Sequence, residues 1–153
     1  MRLGGWPGAA ATAGLVVALD QATKQLAVTH VARGEQENVF VGLDITNSRN
    51  SGVAFGALQD DGALVGVLIG LSLALLLAFF VRNREMPWLW LPVGMLLGGA
   101  LGNLADRARE GAVIDFIDPV AWPAFNVADA SIVIGVLALL YVVEGRPRRA
   151  RSA

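Results

Sequence analysis

The sequence lacks cysteine, has a single histidine and is poor in charged residues, and each shortage excludes a class of site. Without cysteine, the 153-residue chain has no disulfide, no thiolate nucleophile and no thiolate metal site, and one histidine argues against a metal centre built from imidazoles. Charged residues make up 16% of the chain, whereas hydrophobic residues make up 55%. This balance is typical of a membrane-embedded protein, in which carboxylate chemistry remains available.

Four apolar stretches come close to the roughly 20 residues that a helix needs to cross a bilayer. They cover residues 9–28, 63–81, 88–104 and 127–143, and the third is rich in glycines that would let neighbouring helices approach closely. The first stretch has features of a secretory signal, but Asp20 and Lys24 in its outer half favour a retained span. We therefore predict an all-α membrane protein, a single domain over residues 1–153 with four transmembrane helices.

The arginines predict the orientation of these four spans, because short cytoplasmic segments retain Lys and Arg. They place both termini in the cytoplasm, including the tail over residues 144–153, and leave residues 30–62 and 105–124 outside. Alternating and β-branched residues over 39–46 predict one or two short strands in the first outer segment, and the second should be a loop or short helix. The same bias explains the basic residues without nucleic-acid binding, although the tail could touch anionic membrane lipid. The arginines concerned are Arg2, Arg82, Arg84, Arg146, Arg148, Arg149 and Arg151.

Polar residues that are costly at membrane depth converge on the outer face of this topology. Asp20 and Lys24 lie four residues apart on one helix face, so a structural ion pair is their simpler interpretation. The others come from the outer ends of the remaining spans and from the outer segments: Asn50, Asn103, Asp106, Arg107, Asp115, Asn126 and Asp129.

Asp115 and Asp129 are the candidate reactive groups. Two carboxylates in a partly desolvated site tend to hold one shared proton, so that one partner activates a water and the other polarises a peptide carbonyl. Spacing does not tell which of them carries the proton. Asp is also a preferred helix N-cap residue, so a capping role is equally open for each carboxylate taken alone.

Most of the remaining polar residues have two interpretations. The guanidinium of Arg107 suits peptide carbonyls or a carboxylate, and it could equally form a structural ion pair or an interfacial anchor. Asn50, Asn103 and Asn126 could hydrogen-bond both edges of an extended substrate, whereas Asn103 and Asn126 could instead satisfy helix ends or each other.

Five blocks of the sequence resemble, in order, the motifs of the lipoprotein signal peptidases, also called signal peptidase II, a family of membrane aspartic peptidases. A single short block is weak evidence, whereas five blocks spread from the first span to the last are strong. The blocks are Asp20-Gln21-Ala22-Thr23-Lys24, Asn50-Ser51-Gly52-Val53-Ala54-Phe55, Gly98 to Arg107, Val113-Ile114-Asp115-Phe116 and Phe125-Asn126-Val127-Ala128-Asp129.

The resemblance implies an endopeptidase of the bacterial cytoplasmic (inner) membrane that cleaves diacylglyceryl-modified prolipoproteins on the amino side of the lipidated cysteine. It implies inhibition by globomycin-type cyclic peptides, and neither a metal nor an organic cofactor. By position, Asp115 and Asp129 match the catalytic dyad. The residues matching the substrate site are Asn50, Asn103, Arg107 and Asn126, and those matching supporting positions are Asp20, Lys24 and Asp106.

Two other classes of function remain open at this point. A proton-coupled transporter subunit or a non-catalytic membrane partner would also carry intramembrane carboxylates, but transport sites usually lie near the midplane and often with an internal repeat, and neither feature is visible. A serine peptidase with a Ser-Lys dyad would use Lys24, which has Thr23 beside it but no suitably placed serine.

Overall fold

The computed structural model describes residues 5–51 and 62–145, which form four long helices and one small sheet. This confirms the prediction of a mostly helical protein with a small β-containing segment. The predictions that involve Arg2, the end of the sequence block at Phe55 and the arginines from Arg146 onward concern residues outside the described ranges. In chain order the elements are α1 (Trp6–His30), β1 (Gln36–Phe40), β2 (Leu43–Asn50), α2 (Gly62–Asn83), α3 (Trp90–Glu110), β3 (Val113–Pro119) and α4 (Val127–Glu144).

Two of the described helices, α2 and α4, are long and apolar enough to cross a membrane by length and composition. The apolar windows are Gly66–Asn83 and Val127–Glu144, of which 6% and 17% of the residues are buried within the protein. Helices this apolar and this little covered do not form the core of a water-soluble fold. The count of four spans stays a prediction.

Close contacts of α3 with α1 and α4 depend on its glycines. A Cβ atom on Gly98 would lie 2.7 Å from the carbonyl oxygen of Ala13 in α1, and one on Gly99 would lie 2.5 Å from the carbonyl oxygen of Ala128 in α4. Both distances are shorter than van der Waals contact, so only glycine lets these backbones approach so closely. The prediction that these glycines serve helix packing is confirmed.

An apolar cluster closes one end of the helices. Ala9, Phe80, Leu89 and Val93 are buried there together, and the ring of Trp6 meets Phe80 edge-on with the centroids 4.9 Å apart. The cluster joins the start of α1, the end of α2 and the start of α3. The opposite end of the helices carries the sheet and the polar residues.

The three strands form an antiparallel sheet in the order β1-β2-β3. Its register sets Asn50 opposite Val113 and Ser48 opposite Asp115, which brings the end of β2 beside the start of β3. Arg49 fixes the sheet to the end of α3, since its Nε donates to Glu110 Oε2 at 2.6 Å. β2 therefore delivers Asn50 to the same place as Asp115.

The prediction of a loop or short helix over residues 105–124 is wrong. Helix α3 continues to Glu110, with Arg107 and Arg109 in its last turn favouring the helix dipole, and Gly111 ends it with a left-handed φ of 73°. The β-branched and aromatic residues that follow then form β3, because β2 offers a strand edge to pair with.

Candidate active site

Asp115 is held in β3 by two asparagine amides. Asn126 Nδ2 donates to Asp115 Oδ1 at 2.7 Å, and Asn50 Nδ2 donates to Asp115 Oδ2 at 3.1 Å. The aspartate is 2% exposed. Since Asp115 lies in a strand, the alternative that it caps a short helix is wrong.

Asp129 lies in the first turn of α4 and takes part in a capping box with Asn126. Asn126 Oδ1 accepts from the Asp129 backbone N–H at 2.9 Å, and Asp129 Oδ2 accepts from the Asn126 backbone N–H at 3.3 Å. The other carboxylate oxygen, Oδ1, accepts from Asn103 Nδ2 at 2.7 Å. The capping interpretation of Asp129 is thus correct in part, with Asn126 as the N-cap residue.

Asn126 links the two aspartates. Its Oδ1 is committed to the start of α4, so its Nδ2 points the other way, to Asp115 and to the carbonyl oxygen of Ile114 at 3.2 Å. The residue is fully buried. One side chain therefore fixes both the helix that carries Asp129 and the carboxylate of Asp115.

The environment of Asp115 favours the protonated form of its carboxyl group. Burial, followed by the negative charge of Asp129, raises the pKa of Asp115 from 3.8 to about 6. The amide donors of Asn50 and Asn126 and the charge of Lys24 act in the opposite direction, because they favour the ionised form. The two carboxylates are thus close enough to influence each other, as a shared-proton pair requires.

Behind the aspartates lies a buried ion cluster made of Asp20, Lys24 and Asp106. Lys24 Nζ lies 2.8 Å from Asp20 Oδ2, 2.7 Å from Asp106 Oδ2 and 3.0 Å from Asn103 Oδ1. Asp20 Oδ1 also accepts from the backbone N–H of Ala128 at 2.9 Å, so the cluster reaches the start of α4. The expected pair of Asp20 and Lys24 exists, and Asp106 completes it.

The geometry around Lys24 argues against a Ser-Lys dyad. All three ammonium donors are directed at two carboxylates and one amide oxygen. The hydroxyl of Thr23 instead donates to the carbonyl oxygens of Leu19 and Asp20 in its own helix.

Gln21 belongs to the cluster and was missed by the sequence reasoning. Its Nε2 donates to Asp106 Oδ1 at 2.9 Å and to Asp20 Oδ2 at 3.2 Å, while its Oε1 accepts from Arg109 at 2.7 Å. The available signal was its place in the block between Asp20 and Lys24. Helix periodicity alone does not predict that Gln21 reaches across to α3.

Arg107 lies half-buried in the last turn of α3 and interacts electrostatically with three carboxylates, those of Asp129, Asp115 and Asp106. Asn50 is also only half-buried. By contrast, the amides of Asn103 and Asn126 are buried and engaged by protein groups on both their oxygen and their nitrogen. These contacts show that Asn103 and Asn126 hold the aspartates, and substrate binding by the two residues stays a prediction.

The carboxylates of the site do not form a metal-binding group. Across the described ranges 5–51 and 62–145, no cluster of three or more His, Cys, Asp or Glu side chains could hold a metal ion. The donors to Asp115 and Asp129 are all amide N–H groups, whereas the ammonium group of Lys24 binds Asp20, Asp106 and the amide oxygen of Asn103.

Comparison with known proteins identifies the family of this chain. The sequence model of the signal peptidase (SPase) II family matches residues 12–143, a range that contains every residue of the site. The chain belongs to the signal peptidase II family. Membership makes it a hydrolase and a protease.

Named relatives agree with this family. The chain is similar to the lipoprotein signal peptidase of Syntrophus aciditrophicus, with 42% identity over 140 residues that cover 84% of this chain and 87% of the relative. It is also similar to the lipoprotein signal peptidase of Moorella thermoacetica, with 40% identity over 129 residues that cover 83% and 86%.

The fold also resembles solved structures. A bacterial membrane enzyme determined by the in meso method at 2.3 Å resolution superposes with a TM-score of 0.80 at 32% identity, covering 92% of each chain. A second such structure, at 1.9 Å resolution, gives a TM-score of 0.79, also at 32% identity, covering 91% of this chain and 94% of the other.

Proposed function

We propose that the protein removes the signal peptide from diacylglyceryl-modified prolipoproteins by cleaving on the amino side of the lipidated cysteine. In this proposal Asp115 and Asp129 form an aspartic dyad that activates a water molecule. The observation that carries the proposal is the linkage of both carboxylates through Asn126, in which each keeps amide donors on both oxygens. The membership of the signal peptidase II family supports the reaction class.

The dyad would divide acid and base roles between its members. The ionised aspartate takes a proton from water, which attacks the scissile carbonyl carbon, while the protonated aspartate donates a hydrogen bond to the carbonyl oxygen. When the tetrahedral intermediate collapses, the C–N bond breaks and the dyad returns a proton to the leaving amine. The pKa of Asp115, raised to about 6, supports a shared proton near neutral pH.

Arg107 and Asn50 are the proposed substrate contacts. Both are half-buried and border the dyad, Arg107 from the end of α3 and Asn50 from the end of β2. A guanidinium donates to peptide carbonyls in a fixed geometry, and an amide both donates and accepts, so the two side chains suit an extended peptide. Asn103, Asn126, Asp20, Lys24 and Asp106 hold the dyad from behind.

The exposed apolar helices also support a proposed placement in the membrane. We propose four spans, α1 to α4, with both termini in the cytoplasm and the dyad near the outer face of the bacterial cytoplasmic membrane. The exposed apolar surface of α2 and α4 supports lipid contact, and Arg82 lies at the end of α2 that packs in the apolar cluster, away from the dyad. A signal helix could then stay in the bilayer while its cleavage site reaches Asp129.

The partners follow from this placement. Lipid-modified prolipoproteins are the proposed substrates and membrane lipid is the surrounding solvent. Cyclic peptides of the globomycin type are proposed inhibitors, because a peptide of this kind would compete with the substrate for Arg107 and the dyad.

The proposal is tested with purified protein and a synthetic prolipoprotein. Wild-type protein should release a product whose mass corresponds to cleavage before the diacylglyceryl cysteine, and it should leave the unlipidated peptide uncut. Asp129→Asn should insert and fold normally yet leave the lipidated substrate intact. Cleavage at another bond, or equal cleavage of the unlipidated peptide, would contradict the proposed specificity. Proton flux into liposomes without any peptide cleavage would favour a transporter instead.

A further inference from the structure

Asn103 supplies an N–H donor to Asp129, and something must decide which end of its amide faces the dyad. An asparagine side chain can turn over, exchanging its oxygen and its nitrogen, and the two ends have nearly the same shape. In one orientation the amide donates to Asp129. In the other it would present an oxygen to a carboxylate, which is repulsive.

A buried ammonium group settles the orientation. Lys24 Nζ lies 3.0 Å from Asn103 Oδ1, on the side of the amide away from Asp129. An ammonium group has donors and no acceptor, so only the oxygen of the amide can face it. The nitrogen is then turned to Asp129 Oδ1, at 2.7 Å.

Lys24 is itself fixed in place. It is 1% exposed, and its other two donors are held by Asp20 Oδ2 at 2.8 Å and by Asp106 Oδ2 at 2.7 Å. Two different helices, α1 and α3, therefore hold the ammonium group against the amide oxygen. A structural ion pair between Asp20 and Lys24 would need only the contact within α1. The additional contacts of Lys24 with Asp106 and Asn103 are not required for such a pair.

We propose that Lys24 is a positioning residue for catalysis, which acts through Asn103 by orienting its amide so that an N–H is always donated to Asp129. The inference rests on the proposed dyad. The further step is that catalysis requires the contact of the Lys24 ammonium group with Asn103 Oδ1, rather than its ion pair with Asp20.

Several other charged groups also act on the carboxylate of Asp129, and the experiment must separate their effects from that of the Asn103 amide. Asp20 and Lys24 act on Asp129 from α1, Arg107 from α3 and Asp115 from β3, while Asp106 of α3 pairs with Lys24. The positive charge of Lys24 also acts directly on Asp115. A direct effect of this charge persists when Asn103 is absent, whereas an effect that passes through the amide does not.

A double-mutant cycle separates these possibilities. Asn103→Leu removes the amide and should lower kcat roughly 10- to 100-fold, the usual effect of losing a hydrogen bond to a charged group. Lys24→Met should lower kcat by a similar factor in the wild-type background but by less than about threefold in the Asn103→Leu background. In the Lys24→Met single variant the acid limb of the kcat profile should move to higher pH. Gln25→Met is the control, with the same substitution at an exposed neighbouring position of α1.

If Lys24→Met does not accumulate as folded protein, the cycle is run in the Asp106→Asn background, where the net charge of the cluster with Lys24→Met equals that of the wild type. Equal losses of kcat in the presence and absence of Asn103 would overturn the proposal. A lower melting temperature with unchanged kcat and pH profile would also overturn it, since that result indicates structure alone. Failure of the dyad itself is recognised separately, because Asp129→Asn would then retain activity.

Discussion

The carboxyl group of Asp115 should make the folded protein less stable at neutral pH, and Asp115→Asn tests this. Burial and the charge of Asp129 raise the pKa of Asp115 from 3.8 to about 6, so the folded state holds this proton more tightly than the unfolded chain does. The stability that the protonated group provides is therefore complete below pH 3.8 and is lost as the pH rises through about 6. The difference between these pKa values corresponds to about 3 kcal/mol of unfolding free energy.

The assay is thermal unfolding in detergent, comparing wild type and Asp115→Asn between pH 4 and pH 8. An asparagine nearly matches aspartic acid in shape and keeps an oxygen for the amide of Asn126, so the two proteins should be close in stability at pH 4. By pH 7 the variant should be more stable by up to about 3 kcal/mol, roughly 6–12 °C in melting temperature for a chain of this size. Asp118→Asn, on the same strand, controls for loss of a carboxyl group.

A difference in melting temperature between wild type and Asp115→Asn that stays constant from pH 4 to pH 8 would contradict a raised pKa of Asp115 in the folded protein. A raised pKa would also be contradicted if the variant became less stable than wild type as the pH rises. Either result would mean that the folded protein stabilises the ionised carboxylate of Asp115 at least as well as water does.

Three further outcomes are expected. Asn50→Leu removes an N–H donor that favours the ionised form, so the pKa of Asp115 should rise further and the acid limb of the kcat profile should move up by roughly one pH unit, measured with a lipidated peptide. Gly98→Ala should lower the melting temperature by several degrees, because its Cβ would meet a backbone carbonyl oxygen of α1 at 2.7 Å, while Gly70→Ala, with no atom within 4 Å, should not. Asn126→Ala should cost about 1–2 kcal/mol as a lost helix cap, seen by thermal unfolding, and should also abolish most of the activity.

Hydropathy predicted the helices well because long apolar stretches have few alternatives. Hydropathy predicted the ends of the helices less accurately. The predicted third span stops at Leu104, yet α3 continues to Glu110, since the polar last turn of a helix does not look apolar. The strand β3 was missed for a related reason. Residues 113–117 have a strand-like composition, but the edge of β2 that pairs with them is more than 60 residues away in the sequence, as in the pair of Asn50 and Val113.

Within the site, the sequence predicts that the polar residues gather at one end of the helices, where the contacts join the ion cluster, Asn103 and Asp129, and Asn50, Asn126 and Asp115. The sequence does not predict which side chains of the site contact each other. The i, i+4 spacing predicts a pair of Asp20 and Lys24, but the contact of Lys24 with Asp106 and the reach of Gln21 depend on how α1 and α3 are rotated against each other. That rotation depends on which residues of α1 and α4 meet the glycines of α3, and these contacts join positions that are far apart in the sequence.

The most direct test of the aspartic dyad is the kcat of Asp115→Asn and Asp129→Asn on a diacylglyceryl prolipoprotein, with Asp118→Asn as the matched control. Each dyad variant should fold, bind the lipidated substrate and lose at least about a thousandfold in kcat, since general acid and base catalysis contribute up to about 10⁴-fold and neither amide can exchange a proton. Asp118→Asn should stay within about threefold of wild type. A dyad variant that keeps a tenth or more of the wild-type kcat would contradict the proposed mechanism.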